Sequence, residues 1–318
     1  MSQAKNSGRA LLSMSTNSSR RKSKFRRFLP FYLMILPAAI WYLVFHYYPM
    51  SGLLIAFQDY TLQGGFYRNE WVGLQYFRDF LNDSNFWRYV GNTLSMSIAK
   101  LAVGFPSAII LALMLNEVRH TWYKRTIQTV SYLPYFVSWV VVAALIQKFF
   151  GLYNGMFNMI RTAKGLPAYY YLGQEHLFLP FIVLSDIWKN VGYSSIIYLA
   201  ALSGIDPTLY EAAMIDGASA PQRLWRITLP GIKPTAGIML LLTMGGLFGS
   251  NMEQVLLLQT PATYQASEVL DTYIIRRGIN LNQPDYAAAI TIFRSVISLL
   301  LIMTMNKLSK TLSGISIW

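Results

Sequence analysis

Asn92-Thr-Leu-Ser-Met-Ser-Ile-Ala-Lys100-Leu-Ala-Val-Gly104-Phe-Pro106-Ser-Ala-Ile-Ile-Leu-Ala-Leu-Met-Leu115 carries one charge in 24 residues. A helix crossing the hydrocarbon core of a bilayer needs about 20 mostly apolar residues, so this stretch is long and apolar enough to span. Working outward, five more segments have the same character: residues 29–48, 127–149, 179–203, 235–250 and 287–306. The fifth is short and can borrow residues from either flank. The chain as a whole agrees, with 54% apolar and 13% charged residues against about 25% charged in an ordinary soluble domain. Whole-chain disorder is excluded, because it requires low hydrophobicity. The absence of cysteine excludes a disulfide scaffold, thiolate metal sites and thiol catalysis, and the three histidines are scattered, so no metal site is expected. The expected fold is all-α: a polytopic membrane protein with six transmembrane helices.

The net charge of +13 is concentrated at one end. Residues 1–27 hold eight basic side chains and no acid, while the remainder carries 19 basic and 14 acidic residues. A basic tail just before an apolar span is what the positive-inside bias produces. The same tail can rest on anionic lipid headgroups. Nucleic acid is therefore not the expected partner. The first apolar run is too long for a secretory signal, and no small-x-small cleavage site follows it. With the N-terminus inside, the inner segments hold 16 Lys and Arg and the outer loops seven, which places both termini in the cytoplasm. The outer loops are rich in aromatics, as in Tyr60, Phe66, Tyr67, Trp71, Tyr76 and Trp87. Such residues suit an interfacial belt, a docking surface or sugar stacking. No inner loop has room for a nucleotide-hydrolysing domain, and no G-x-x-x-x-G-K-[ST] occurs.

The longest inner loop, residues 205–230, has a definite plan. Asp206 is a good N-cap and Pro207 suits the first helical position. Leu209–Ile215 then reads as a short helix, and Gly217 can adopt positive φ and stop it. Ser219 and Pro221 restart a second helix that runs towards the membrane. Ala212 and Ala213 keep one face flat, which permits close approach by a partner.

Glu211-Ala212-Ala213, Asp216-Gly217-Ala218, Ile227 and Leu229-Pro230 resemble the EAA motif of type I ABC importer permeases. Leu224 stands where that family commonly has Phe and keeps its apolar character. Tyr132-Leu-Pro-Tyr-Phe-Val-Ser-Trp139, Ile187-Trp-Lys-Asn-Val-Gly-Tyr193, Ala200-Ala-Leu202 and Val269-Leu-Asp-Thr-Tyr273 with Arg277-Gly278 are similar to the carbohydrate branch, related to maltose permeases, which imports oligosaccharides and polysaccharide fragments. The resemblance implies that residues 28–310 form a six-span permease domain, flanked by cytoplasmic tails at 1–27 and 311–318. It implies that loop 205–230 is a cytoplasmic coupling helix docking on an ATPase. The chain itself is expected to be a non-catalytic subunit with no catalytic residue and no cofactor of its own, ATP and Mg being held by the partner. The implied partners are a second, similar permease, two ATPase subunits, an extracytoplasmic solute-binding protein and membrane lipids. The implied location is the cytoplasmic (inner) membrane of a prokaryote.

Ionisable residues inside a span usually face a cavity or a partner. Asp186 and Lys189 are three apart, share a helix face and are within reach of each other as a pair. Arg294 has no partner within its own span, and Lys100 precedes a Gly104–Pro106 segment where a kink can form. Structural and solute-pathway roles are both open for these residues. Gly245-Gly-Leu-Phe-Gly-Ser-Asn251 suits close helix packing. Phe248, Ser250 and Asn251, with Trp188 and Tyr193, are the candidates for lining the pathway. The competing reading is a secondary carrier without an ATPase. Carriers often repeat broken helices at matching positions in two halves; no such pairing is present, and a carrier has no use for the 205–230 motif.

Overall fold

The computed structural model describes residues 28–61, 69–246, 249 and 252–313. The chain forms two compact units, one comprising Met1–Ile55 with Thr61–Asn69 and the other Ala56–Tyr60 with Glu70–Trp318. In the first unit the described structure is the greater part of helix α1, Phe28–Phe57, which is long and apolar enough to cross a membrane.

The second unit opens with a short antiparallel pair, β1 (Gln58–Asp59) and β2 (Glu70–Trp71), in the register Gln58 opposite Trp71. The helices follow in order: α2 Gln75–Leu81, α3 Phe86–Glu117, α4 Thr121–Phe136, α5 Trp139–Phe150, α6 Met156–Ala163, α7 Glu175–Ser203, α8 Pro207–Ile215, α9 Ala220–Gly245, α10 Met252–Leu258, α11 Leu270–Ile275 and α12 Pro284–Ser313. A few short turns of 3₁₀ or π geometry lie within or between them.

Helix α3 organises the packing. It buries Tyr89, Thr93, Met96 and Ser97, then Ala108, Ala112 and Leu115, a spacing that keeps one face inward along about 39 Å of helix. Each part of that face joins a different apolar cluster. Phe86 and Tyr89 pack with Phe80, Leu270, Tyr273, Tyr286 and Ile290. Met96 joins Ala143, Phe178, Ile182, Val255 and Leu258. Ala108 and Ala112 meet Tyr198, Leu202 and Ile232, where small side chains let α3, α7 and α9 approach closely. Thr93 Oγ1 accepts the Leu270 N–H at 2.9 Å and fixes the start of α11 against α3.

Three expectations about the spans change. Residues 127–149 do not form one straight helix: α4 and α5 meet at a bend of 101°. Pro134 removes a backbone donor near the end of α4, and Ser138 starts α5 as an N-cap, accepting from the Val141 N–H. The 235–250 segment is the end of a longer helix, α9, which starts at Ala220. Helix α7 is 29 residues long but is not among the described helices apolar enough to be recognised as a span by composition; those are α1, α3, α9 and α12, with the bent pair α4–α5 as a fifth. Its interior carries Asp186, Lys189, Asn190, Ser194 and Ser195, side chains that other helices accommodate. The Gly104–Pro106 segment leaves α3 continuous over its 32 residues, with Ser107 Oγ donating to the Val103 carbonyl at 2.6 Å.

Candidate coupling site and intramembrane polar cluster

Helix α8 is built as the sequence suggests. Asp206 Oδ1 accepts the Thr208 N–H at 2.9 Å, and that bond holds the carboxyl below the usual carboxylate range. At the other end Gly217 has φ +73°. Its N–H donates to Met214 O at 3.1 Å, and Ala218 N–H donates to Ala213 O at 2.8 Å, the pair of bonds that closes a helix with a left-handed C′ residue. Ser219 and Gln222 then form a capping box at the start of α9. The turn between the helices is thus hydrogen-bonded on both sides of Gly217.

Two further contacts hold α8 and the turn leading into it against α9. The Tyr210 and Thr228 hydroxyls lie 3.0 Å apart in a hydrogen bond. Gly231 allows Ile205 to approach so closely that a Cβ there would stand 2.7 Å from Ile205 Cδ1. The outward surface remains open: Glu211, Ala212, Asp216 and Gly217 are exposed, Ala213 and Ala218 half-buried. Leu209, Met214 and Ile215 are exposed apolar side chains on the same short helix, and Trp225 beyond the turn is also exposed. Ile227 and Leu229 are half-buried, with Leu229 packed on the third core cluster, and Pro230 is exposed. Glu211 makes no ion pair among the described residues; the Arg223 guanidinium donates instead to Ala218 O at 3.2 Å.

Helix α7 carries the polar cluster. Asp186 pairs with Lys100 of α3 at 3.2 Å, not with Lys189, and its Oδ1 also accepts the Asn190 amide at 3.1 Å. The pair borders a cavity of about 300 Å³ whose lining includes Ser97, Asn190, Ser194, Tyr198, Trp139 and Thr243. Lys189 turns the other way and donates to the carbonyls of Tyr135 and Val137. Arg294 finds its partner outside its own helix, in Asp271 of α11. Sequence spacing alone could not assign these partners, because each lies on another helix.

Of the pathway candidates, Trp188 and Tyr193 lie on α7. Trp188 is exposed. Tyr193 is stacked on Tyr135 at 3.8 Å and 7°, a packing contact. Phe248, Ser250 and Asn251 lie outside the described residues. Gly245 serves packing, since a Cβ there would meet Ile302 of α12 at 3.2 Å.

The model of the binding-protein-dependent transport system inner membrane component matches residues 104–313, which spans α7, α8 and α9. The chain belongs to that family. Among its relatives, the protein LplB of Bacillus subtilis (strain 168) is 39% identical over 279 residues, 88% of each chain. The polygalacturonan/rhamnogalacturonan transport system permease protein YteP of the same organism is 40% identical over 88% of this chain and 87% of its own. Among solved structures, a bacterial ABC transporter involved in the import of the acidic polysaccharide alginate is 38% identical. Its fold matches with a TM-score of 0.85 over 92% of this chain and 99% of that one. A second structure of a bacterial alginate ABC transporter, in complex with an alginate pentasaccharide-bound periplasmic protein, matches with a TM-score of 0.84. This chain is a membrane permease of the same kind, and the all-α polytopic reading stands.

Proposed function

We propose that this permease is the translocating subunit of an ATP-driven importer of oligosaccharides or polysaccharide fragments. The observation that carries the proposal is α8: a short, stapled helix at the end of α7 that leaves Leu209, Met214 and Ile215 exposed around it. Large apolar side chains clustered in the open on so short a helix mark a surface that another subunit covers. The transport system named for YteP and the alginate importer supply the substrate class. In this reading two ATPase subunits hold ATP and Mg, and one engages α8 from the cytoplasm as a helix laid in a groove. A second, similar permease completes the pore, a solute-binding protein delivers the saccharide from outside, and both termini are cytoplasmic.

Reconstituted in liposomes with its ATPase and receptor, the assembly should take up a labelled oligosaccharide only with ATP inside. Uptake that persists without the ATPase subunit, driven by an ion gradient, would establish the carrier reading instead. An active complex with this chain as its only permease would overturn the pairing with a non-identical permease.

The orientation has its own test, made clean by the absence of native cysteine. A cysteine at Gln174 should react with a membrane-impermeant reagent added outside intact cells, and one at Ser219 should react only after permeabilisation. The reverse pattern would put α8 on the wrong side for an ATPase.

A further inference from the structure

Lys189, Gly192 and Tyr193 fall one helical turn apart on one face of α7. Each meets the last turns of α4 or the break that follows them, by a different kind of contact. Lys189 Nζ donates to Tyr135 O at 2.7 Å and to Val137 O, and lies 5.6 Å from the ring centroids of Tyr135 and Trp139. Gly192 lets the backbones touch: a Cβ there would stand 1.9 Å from Ser131 O. The Tyr193 ring stacks on Tyr135.

The last carbonyls of a helix have no partner within it, and a cation placed there satisfies them and complements the helix dipole. Lys189 does this for α4. It is only 8% exposed, so the two carbonyls and two rings stand where water would otherwise solvate the ammonium. The neighbouring acid is not available to it, since Asp186 is engaged by Lys100 and Asn190. A break without such a clamp is a hinge. With it, the end of α4 and the middle of α7 are held by charge, by backbone contact and by ring stacking together.

From Lys189 the α7 helix runs unbroken to Ser203, and α8 begins at Pro207. On the other side of the break, Trp139 begins α5 and borders the Lys100–Asp186 cavity. We infer that Lys189, with Gly192 and Tyr193, is the joint that makes α4 and α7 one rigid piece, so that a displacement of α8 reaches the bent pair and the cavity wall. Lys189 is then a positioning residue for coupling. The inference rests on the proposed role of α8.

The test uses the assembled importer carrying Lys189→Met, Lys189→Arg or Gly192→Ala. Lys189→Met keeps the stem and removes the charge and donors. Stimulation of ATP hydrolysis by ligand-loaded receptor should fall roughly tenfold, with the ATPase still co-purifying and its basal rate unchanged. Lys189→Arg, which can still donate to both carbonyls, should keep most of the stimulation, and Gly192→Ala should lose it. Spin labels at Trp122→Cys and Ser203→Cys read the joint directly. Their separation should stay constant between nucleotide-free and ATP-trapped states in the otherwise unaltered chain and vary in Lys189→Met. A separation that changes on trapping ATP without the Lys189 substitution overturns the joint, and needs no destabilising variant. Full stimulation in Lys189→Met or Gly192→Ala, while Gly217→Val abolishes uptake, also overturns the joint and leaves the role of α8 standing. Unchanged uptake in Gly217→Val overturns the role of α8 itself.

Discussion

Gly217→Val is expected to abolish coupled uptake while leaving the permease inserted in the membrane. Gly217 sits at φ +73° with no atom within 4 Å of the position a Cβ would take. Crowding is therefore not the issue; the backbone conformation is. A β-branched residue held there costs about 1–3 kcal/mol, enough to favour a different turn and undo the bonds Gly217 N–H to Met214 O and Ala218 N–H to Ala213 O. The core clusters lie elsewhere, so the fold of the spans should persist. Glu211→Lys tests the same surface without touching the backbone. Glu211 is exposed and makes no ion pair among the described residues, so reversing its charge should cost the isolated chain little and be felt at the ATPase. Both variants should lose receptor-stimulated ATP hydrolysis and uptake at equal membrane abundance, with saccharide binding by the receptor untouched. Wild-type uptake in both would remove α8 from the coupling mechanism.

The second large effect is expected at Lys100 and Asp186. Their side chains are 10% and 20% exposed, and Asp186 keeps Asn190 as a second partner. Removing one member of a buried ion pair strands the other charge, at about 3–5 kcal/mol, whereas replacing both by apolar groups of similar size is often neutral. Access to the cavity places the cost towards the lower end of that range. Asp186→Leu should therefore lower the membrane abundance and detergent melting temperature of the permease sharply, and Lys100→Met somewhat less, because Asn190 remains for Asp186. The double variant should recover most of the loss. Normal abundance and melting in Asp186→Leu alone would show that the pair carries no such energy.

Much of this architecture could be read before any coordinates, for identifiable reasons. Runs such as 92–115 are decided by composition, and the 205–230 turn by local rules: an Asp before Pro, a Gly at C′, a Ser219–Pro221 restart. These are local signals in the sequence; that Gln222 completes a capping box with Ser219 is seen only in the structure. What could not be read is set between helices. Asp186 and Lys189 have the spacing of a pair, yet one reaches α3 and the other the end of α4. The bend at residues 137–138 had its local signals in Pro134 and Ser138, but the apolar character of 127–149 outweighed them. Arg294 and Asp271 are distant in sequence and meet because α11 packs on α12.

The long reach of the first core cluster bears on how the chain is made. Thr93 meets Leu270 across 177 residues of sequence, Asp83 meets Tyr273 across 190, and Tyr76 meets Asp285 across 209. A ribosome adding 5–20 residues per second needs about 9–35 s to cover the shortest of these separations. Throughout that interval Phe86 and Tyr89 have been synthesised, while Leu270, Tyr273, Tyr286 and Ile290, which cover them, have not. The nascent protein must therefore wait in the bilayer with an aromatic seam open, shielded by lipid or by an insertion chaperone. A chain that terminates before α11 never gains Leu270, Tyr273, Tyr286 and Ile290, and so never covers that seam.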